Sequence, residues 1–145
     1  MPWAYFDTSA LIKRYVDEAG RREVLQLLRR HDGVTSAVLP VELRSALRRR
    51  VSEGALDEER VPEILKRFAT DRAFWAFVEV TSDVLATAET LVARHPLRTL
   101  DAIHVASAQL FAARITASEL IFVSADARQA AAATAAGMTI RKIGS

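Results

Sequence analysis

The stretch LRTLDAIHVASAQLFAA, residues 97–113, decides how this chain folds. After Asp101 the stretch is apolar almost all round, with only His104, Ser107 and Gln109 interrupting it. A helix that is apolar on every side is a buried helix. Its beginning nevertheless carries the carboxylate of Asp101, and an ionised acid in a dry site is costly unless a cation or hydrogen-bond donors meet it. The stretch therefore predicts a central helix that starts at a site in need of a partner.

Strands and helices alternate on both sides of this helix. Short apolar segments predict strands at 3–6, 33–36, 77–80, 120–124 and 139–143. Segments with helical periodicity predict helices at 8–16, 18–30, 38–53, 57–72, 83–94, 100–114 and 127–136. Gly54 and Gly137 are expected to end two helices, and Thr99 to cap the central one. The alternation implies a three-layer α/β/α fold, with a mainly parallel sheet of four to five strands between helices.

The composition of the chain narrows the classes of protein it can be. Its 145 residues suit one domain, which we expect to span 1–145. The absence of cysteine excludes disulfides, thiolate zinc sites and cysteine nucleophiles. The N-terminus lacks the features of a signal peptide, and no apolar run is long enough for a membrane span, so we expect a soluble, cytoplasmic protein. A net charge of +2 does not by itself indicate nucleic-acid binding.

Four acidic residues stand where an α/β fold binds its ligands. Ligands of parallel sheets bind beyond the carboxyl ends of the strands, and Asp7 and Asp126 follow two predicted strands. Glu42 and Asp101 lie on helices that are expected to pack inward. Each acid also has a structural explanation. Asp7 and Asp126 could each cap a helix, Glu42 could lie at the edge of a buried face with its carboxylate in water, and Asp101 could be stabilised by the helix dipole.

The four carboxylates have a common explanation if the fold brings them together. Like charges a few ångströms apart cannot all stay ionised unless a cation neutralises them. The acids have no lysine or histidine beside them in sequence, and a set of oxygen ligands suits Mg²⁺ or Mn²⁺ rather than zinc. We therefore expect a divalent ion there, bound directly or through water. His104 is interpreted as a hydrogen-bonded packing residue of the buried helix.

Four segments carry a resemblance to a known family. The segments YFDTSALIKRYVDE, LPVELRSALRRR, LRTLDAIHVASA and FVSADARQAAAATAAGM resemble, in order and spacing, the motifs of PIN-domain ribonucleases. Within that family they are most similar to VapC-type toxins of type II toxin–antitoxin systems. The resemblance implies a PIN-like fold and an endoribonuclease that depends on Mg²⁺ or Mn²⁺. The acidic set it implies, catalytic and metal-binding, is Asp7, Glu42, Asp101 and Asp126.

The same resemblance implies supporting residues and partners. Thr8 and Ser9 match the polar pair that follows the first acid, and Ser124 stands where the family more often has threonine. One of the pair is expected to hydrogen-bond within the site. A cognate VapB-like antitoxin is implied, which directs a basic side chain toward the acids, and so is a homodimer. The apolar residues on two predicted helices have two interpretations, of which core packing is the first and contact with a dimer partner or an antitoxin is the second. These residues are Leu25, Val61, Ile64, Leu65 and Phe68.

The mechanism of RNA cleavage and the residues that bind the RNA are hypotheses. Water activated by the ion would hydrolyse the phosphodiester and leave a 5′-phosphate and a 3′-hydroxyl. Arginines on the helix of Glu42, together with Lys13 near Asp7, are candidates for binding the flanking phosphates. A run of charges is more often a solvated face, which stays the alternative for these arginines. The candidate RNA-binding residues are Arg44, Arg48, Arg49 and Lys13.

Other functions fit the sequence less well. A phosphate-transfer enzyme of the haloacid-dehalogenase type needs a second acid two residues after the first, where this chain has Ser9. A phospho-accepting receiver domain needs paired acids at the first strand and a lysine after a late one, and neither is present. A PIN-like module that binds RNA or protein without cleaving it is not excluded by any residue. Retention of all four acids favours the enzyme.

Overall fold

The sheet has the parallel architecture that the sequence predicts. The structure is a computed structural model and describes residues 1–115 and 120–144. In these ranges five parallel strands lie in the order β3-β2-β1-β4-β5, so that β1 is central. The strands are β1 Trp3–Phe6, β2 Asp32–Ser36, β3 Ala76–Val78, β4 Leu120–Ser124 and β5 Thr139–Lys142. The predicted PIN-like α/β/α fold is confirmed.

Seven α-helices are described in the same ranges. They are α1 Thr8–Leu11, α2 Arg21–Arg30, α3 Leu39–Ser52, α4 Val61–Asp71, α5 Ser82–Arg94, α6 Thr99–Arg114 and α7 Ala127–Ala135. Two boundaries differ from the prediction at the beginning of the chain. The predicted helix 8–16 is one α-turn continued by a 3-10 turn, and α2 starts three residues later than expected. Gly20 explains the later start, because it precedes α2 with a φ of 96°, which favours glycine.

Two further predictions are corrected by the structure. Thr99 is the first residue of α6 and not its cap; Arg98 holds the N-cap position, but its side chain makes no capping hydrogen bond to the helix backbone. The strand predicted at 77–80 begins and ends earlier, as Ala76–Val78. Its register follows from pairing with β2, where Val34 lies opposite Ala76 and Ser36 opposite Val78. Both errors concern element ends, which depend on tertiary contacts more than on local sequence.

Side chains of the central strands alternate between two hydrophobic clusters, one on each face of the sheet. Ala4 and Phe6 belong to the cluster that α1, α2, α3 and α4 cover. Tyr5 points to the other face, where its ring stacks on Phe122 with centroids 5.4 Å apart and where α5 and α6 pack. The first half of α6 is buried without interruption from Ala102 to Ala108. The quoted stretch is therefore a central packing element of its layer.

The carboxyl ends of β1 and β4 meet beside the start of α6. Asp7 continues β1 and donates its backbone N–H to the carbonyl of Val123, 3.2 Å away. Thr35 on β2 donates its hydroxyl to the carbonyl of Phe6 at 2.7 Å, which fixes the same end of β1 from the other side. Within the described ranges, no helix combines the length and the apolar character needed to cross a membrane. The candidate site opens at this end of the sheet.

Candidate active site

A cavity of about 810 Å³ opens at the carboxyl ends of β1 and β4. Side chains from α3, from the start of α6 and from the start of α7 form its walls. Three of the four predicted acids lie in the wall: Glu42, Asp101 and Asp126. The predicted hydroxyls of Thr8 and Ser9 also line it. The topology thus brings residues from four separate segments of the chain to one concave surface.

Asp7 lies behind the wall and has no exposed surface. One carboxylate oxygen accepts hydrogen bonds from the Ser9 hydroxyl at 2.7 Å and from the backbone N–H of Ala10 at 2.9 Å. The other accepts from the Ser124 hydroxyl at 2.5 Å. Asp7 therefore caps α1, as its structural explanation predicts. Burial raises its pKa above the ordinary 3.8, although His104 and the hydroxyl donors act in the opposite direction.

Glu42 is held by a buried chain of polar groups. Its Oε1 accepts the hydroxyl of Thr8 at 2.8 Å and lies 2.6 Å from Nε2 of His104. The Nδ1 of that histidine lies 2.8 Å from the Tyr5 hydroxyl, and both rings are buried. Since a tyrosine hydroxyl donates readily to an imidazole nitrogen, this arrangement suits the tautomer with its proton on Nε2, directed at Glu42. The interpretation of His104 as a packing residue missed its contact with an acid.

Asp101 and Asp126 form the second half of the acidic wall. Asp126 caps α7, and its Oδ1 accepts the backbone N–H of Arg128 at 2.8 Å. Asp101 lies in the first turn of α6, with its side chain 15% exposed. Burial, and then the charge of Asp126, raise the pKa of Asp101 above 3.8, while Arg98 lowers it only in part. The repulsion shows that the two carboxylates share one electrostatic environment.

Two residues of this wall were missed by the sequence interpretation. Arg98 places Nε 3.5 Å from Oδ2 of Asp101, although its own side chain is 80% exposed. Gln129 donates its side-chain amide to Oδ1 of Asp101 at 3.1 Å, and it is 4% exposed. The position of Gln129, three residues after the cap Asp126, was a signal, because residues three apart in a helix lie on one face.

Whether these residues fit a divalent ion depends on how many of them are needed. In residues 1–115 and 120–144, no three acidic or histidine side chains stand close enough to hold an ion together. The expected gathering of all four carboxylates is therefore not found, because Asp7 is enclosed by donors and Glu42 faces Thr8 and His104. Mg²⁺, however, usually keeps several waters and uses one or two carboxylates. Asp101 and Asp126, oxygen donors whose charges repel each other, fit an ion bound in that way.

The predicted RNA-binding residues are found in different surroundings. Arg49 lines the cavity, whereas Arg44 and Arg48 are exposed on the same helix outside the wall. Arg50 also lines it, but pairs with Glu18 at 3.0 Å. Lys13 is buried, with Nζ 3.1 Å from the same glutamate. A phosphate contact by Lys13 stays a prediction, and it would require that ion pair to open.

The apolar residues with two interpretations are mostly core. Ile64 and Phe68 are buried in the cluster beneath α4, and Val61 and Leu65 pack against it. Leu25 is partly buried and lines a smaller cavity of about 320 Å³. Four of the five side chains are thus accounted for by packing within the chain, the first of the two interpretations.

Comparisons with known proteins agree with the architecture. A model of the PIN domain matches residues 4–135. Two proteins of Mycobacterium tuberculosis, ribonuclease VapC45 and ribonuclease VapC49, are each 34% identical over 112 residues, which is 74% of this chain and 76% of the relative. A toxin–antitoxin complex from Klebsiella pneumoniae contains a chain that superposes with a TM-score of 0.63 at 20% identity, over 87% of this chain and 88% of that one. At that identity the likeness concerns the fold alone.

Proposed function

This chain belongs to the PIN domain family, and from that premise we propose that it is a toxin that cleaves RNA, an endoribonuclease dependent on Mg²⁺ or Mn²⁺. The observation that carries the proposal is the acidic wall of a cavity open to solvent, in which burial and the charge of Asp126 raise the pKa of Asp101. The largely exposed Arg98 near Asp101 offsets this effect only in part, so the wall favours a site that receives a further cation. The relatives named ribonuclease support the same activity.

Asp101 and Asp126 would hold the ion, and Glu42 would stand opposite them. When bound, Mg²⁺ supplies a water of lowered pKa and neutralises charge on the phosphoryl oxygens. Both bonds to Glu42 in the described part of the chain reach Oε1, so its second oxygen is available to accept the proton of the attacking water. Asp7 supports the site from behind through Ser9, whose hydroxyl lines the cavity.

Arginines at the cavity would position the RNA. Arg49 of α3 and Arg98, just before α6, both line the wall. Guanidinium groups bind phosphate oxygens in a bidentate manner, so these two can hold the phosphates flanking the scissile bond. Arg44 and Arg48, which are exposed outside the wall, would contact RNA farther from the cleaved position. The products would be a 5′-phosphate and a 3′-hydroxyl.

RNA cleavage with and without the ion tests this proposal. Wild-type protein should cleave RNA in Mg²⁺ or Mn²⁺, and a chelator should abolish the activity. Asp101→Asn and Asp7→Asn should each lose most of it. Cleavage that survives the chelator and both substitutions would refute the assignment. Products with a 2′,3′-cyclic phosphate would refute the hydrolytic mechanism, and ion binding without cleavage would favour a PIN-like module that only binds RNA or protein.

We also propose the partners that the family membership suggests. A VapB-like antitoxin would inhibit the enzyme by bringing a basic side chain to Asp101 and Asp126, in the place of the ion. The toxin would act as a homodimer in the cytoplasm, where RNA and antitoxin are both found. Addition of a cognate antitoxin should stop cleavage by the wild-type toxin, and it should bind Asp101→Asn more weakly. An antitoxin with equal affinity for both would contradict inhibition at these acids.

A further inference from the structure

The side-chain amide of Gln129 is satisfied on one side only. Its Nε2 donates to Asp101, but its Oε1, fully buried, has no hydrogen-bond partner within the described part of the chain. A buried acceptor left without a donor is unfavourable, because it has lost its hydrogen bonds to water. Gln129 is also a wall residue of the acidic cavity. An unpartnered acceptor at that position suggests that a donor comes from a bound ligand.

Gln129 contacts both acids of the proposed ion site. Its backbone N–H donates to Oδ1 of Asp126 at 3.3 Å, and its side chain reaches Oδ1 of Asp101 at 3.1 Å. The residue therefore links the two carboxylates and holds an unsatisfied acceptor within the wall that they share.

We propose that Gln129 is a positioning residue for the divalent ion, orienting Asp101 through Nε2 and accepting a hydrogen bond from an ion-bound water through Oε1. The inference rests on the proposed function, since it needs an ion at Asp101 and Asp126. Mg²⁺ and Mn²⁺ retain several waters when only one or two carboxylates bind them, and each such water is a strong donor. Groups that orient ligands in this way typically contribute a factor of about 10–100 to metal affinity.

The chain contains a matched control for this role. Gln109 on α6 is partly buried, and its Oε1, like that of Gln129, lacks a partner among the described residues. It is not part of the cavity wall. The same substitution at the two glutamines therefore removes an amide of the same kind, once beside the acids and once away from them.

Calorimetric titration of the metal-free full chain with Mn²⁺ tests the inference. Gln129→Met should raise the Kd for Mn²⁺ by about 10–100-fold, whereas Gln109→Met should leave it at the wild-type value. Gln129→Glu loses the Nε2 donor to Asp101 but keeps an acceptor and brings a further negative charge to the ion, so its Kd for Mn²⁺ should equal or fall below that of the wild type. If Gln129 served packing alone, the Kd for Mn²⁺ would not be higher for Gln129→Met than for Gln129→Glu.

The outcomes distinguish this inference from the proposed function. If Asp101→Asn weakens Mn²⁺ binding and Gln129→Met does not, the inference is wrong and the ion site stands. If Asp101→Asn binds Mn²⁺ as tightly as the wild type, the proposed ion site itself is wrong. Thermal unfolding reports whether Gln129→Met folds. If Gln129→Met does not fold, Gln129→Glu decides: a Kd for Mn²⁺ well above that of the wild type overturns the inference. A Kd at or below the wild-type value supports the inference.

Discussion

Two partly buried carboxylates, Glu18 outside the cavity wall and Asp101 within it, have opposite electrostatic environments. Glu18 is 24% exposed and accepts hydrogen bonds from Lys13 at 3.1 Å and from Arg50 at 3.0 Å. Burial alone would raise its pKa, but the bonds from Arg50 and Lys13 outweigh burial and lower it below 4.5. Asp101 is similarly buried, yet burial and Asp126 raise its pKa despite Arg98.

The difference teaches how a structural acid and a functional acid can be told apart in one molecule. The environment of Glu18 is complete: two cations close the loop after α1 onto α3. The environment of Asp101 is incomplete, because its neighbours are another acid, a neutral amide and one exposed arginine. An incomplete environment of this kind is improved by a cation from solution, whereas Glu18 gains nothing from one.

The largest effect should come from Asp101→Asn. Loss of the ion site removes several kcal/mol of transition-state stabilisation, so we expect RNA cleavage to fall by about 100-fold or more. The free energy of unfolding should stay equal or rise, because the repulsion from Asp126 disappears. Single-turnover cleavage and urea unfolding measure the two quantities. A variant that is markedly less stable would place Asp101 with Glu18 as a structural acid.

Glu18→Gln should show the reverse pattern. It leaves Arg50 and the buried Lys13 without their carboxylate, and we expect the free energy of unfolding to fall by about 1–3 kcal/mol. Cleavage by the folded fraction should stay close to that of the wild type. The exposed neighbour Asp17 provides the control, since Asp17→Asn should change neither quantity. If urea unfolding finds Glu18→Gln as stable as the wild type, Glu18 is not a structural acid and its contrast with Asp101 is wrong.

A smaller effect should separate two neighbouring arginines of α3. Arg49 lines the cavity, whereas Arg48 lies outside the wall. In an Asp101→Asn background, which binds RNA without cleaving it, Arg49→Gln should reduce the slope of log K against log salt by about 0.7–0.9, the value for one phosphate contact. Arg48→Gln should reduce it less. Equal slopes for all three proteins would show that the arginine run is only a solvated face.

The smallest effect is a pH dependence of opposite sign for the two acids. The lowered pKa of Glu18 stabilises the fold above its ordinary value of 4.5, and this stabilisation is lost as pH falls below 4.5. The raised pKa of Asp101 means that the native metal-free protein binds the extra proton, so the fold gains stability as pH falls toward 3.8.

Urea unfolding between neutral pH and about pH 3.5 would show both signs. The stability deficit of Glu18→Gln and the stability surplus of Asp101→Asn should each shrink as the wild-type carboxylate becomes protonated. A surplus that grows on acidification, or a deficit that persists unchanged, would contradict the pKa directions from which the comparison starts.

Much of the fold could be predicted because the residue pattern within single segments indicates a helix or a strand. The apolar run after Asp101 required a buried helix, and the alternation of short strands with helices required a parallel sheet. The ends of elements were less predictable. Only the pairing of β3 with β2 sets its register, and only the backbone of Gly20 delays α2.

The site was predicted in its residue types but not in its internal contacts. The sequence placed four acids near strand ends and helix starts, yet it could not show that Ser124 donates to Asp7 across 117 positions. Nor could it show the link from Tyr5 through His104 to Glu42, which joins three segments. Lys13 is a candidate for RNA contact because it is close to Asp7 in sequence, and the sequence did not reveal its ion pair with Glu18.

The central position of β1 has a consequence for how the molecule is made. β1 is synthesised more than a hundred residues before its neighbour β4, which begins only at Leu120. A pairing between such distant segments is slow to form and cannot form before both are synthesised. A nascent chain released early therefore has neither the core of its sheet nor Asp126. The acidic wall, and with it the proposed cleavage of RNA, is therefore complete only after the segment from β4 to Asp126 has been synthesised.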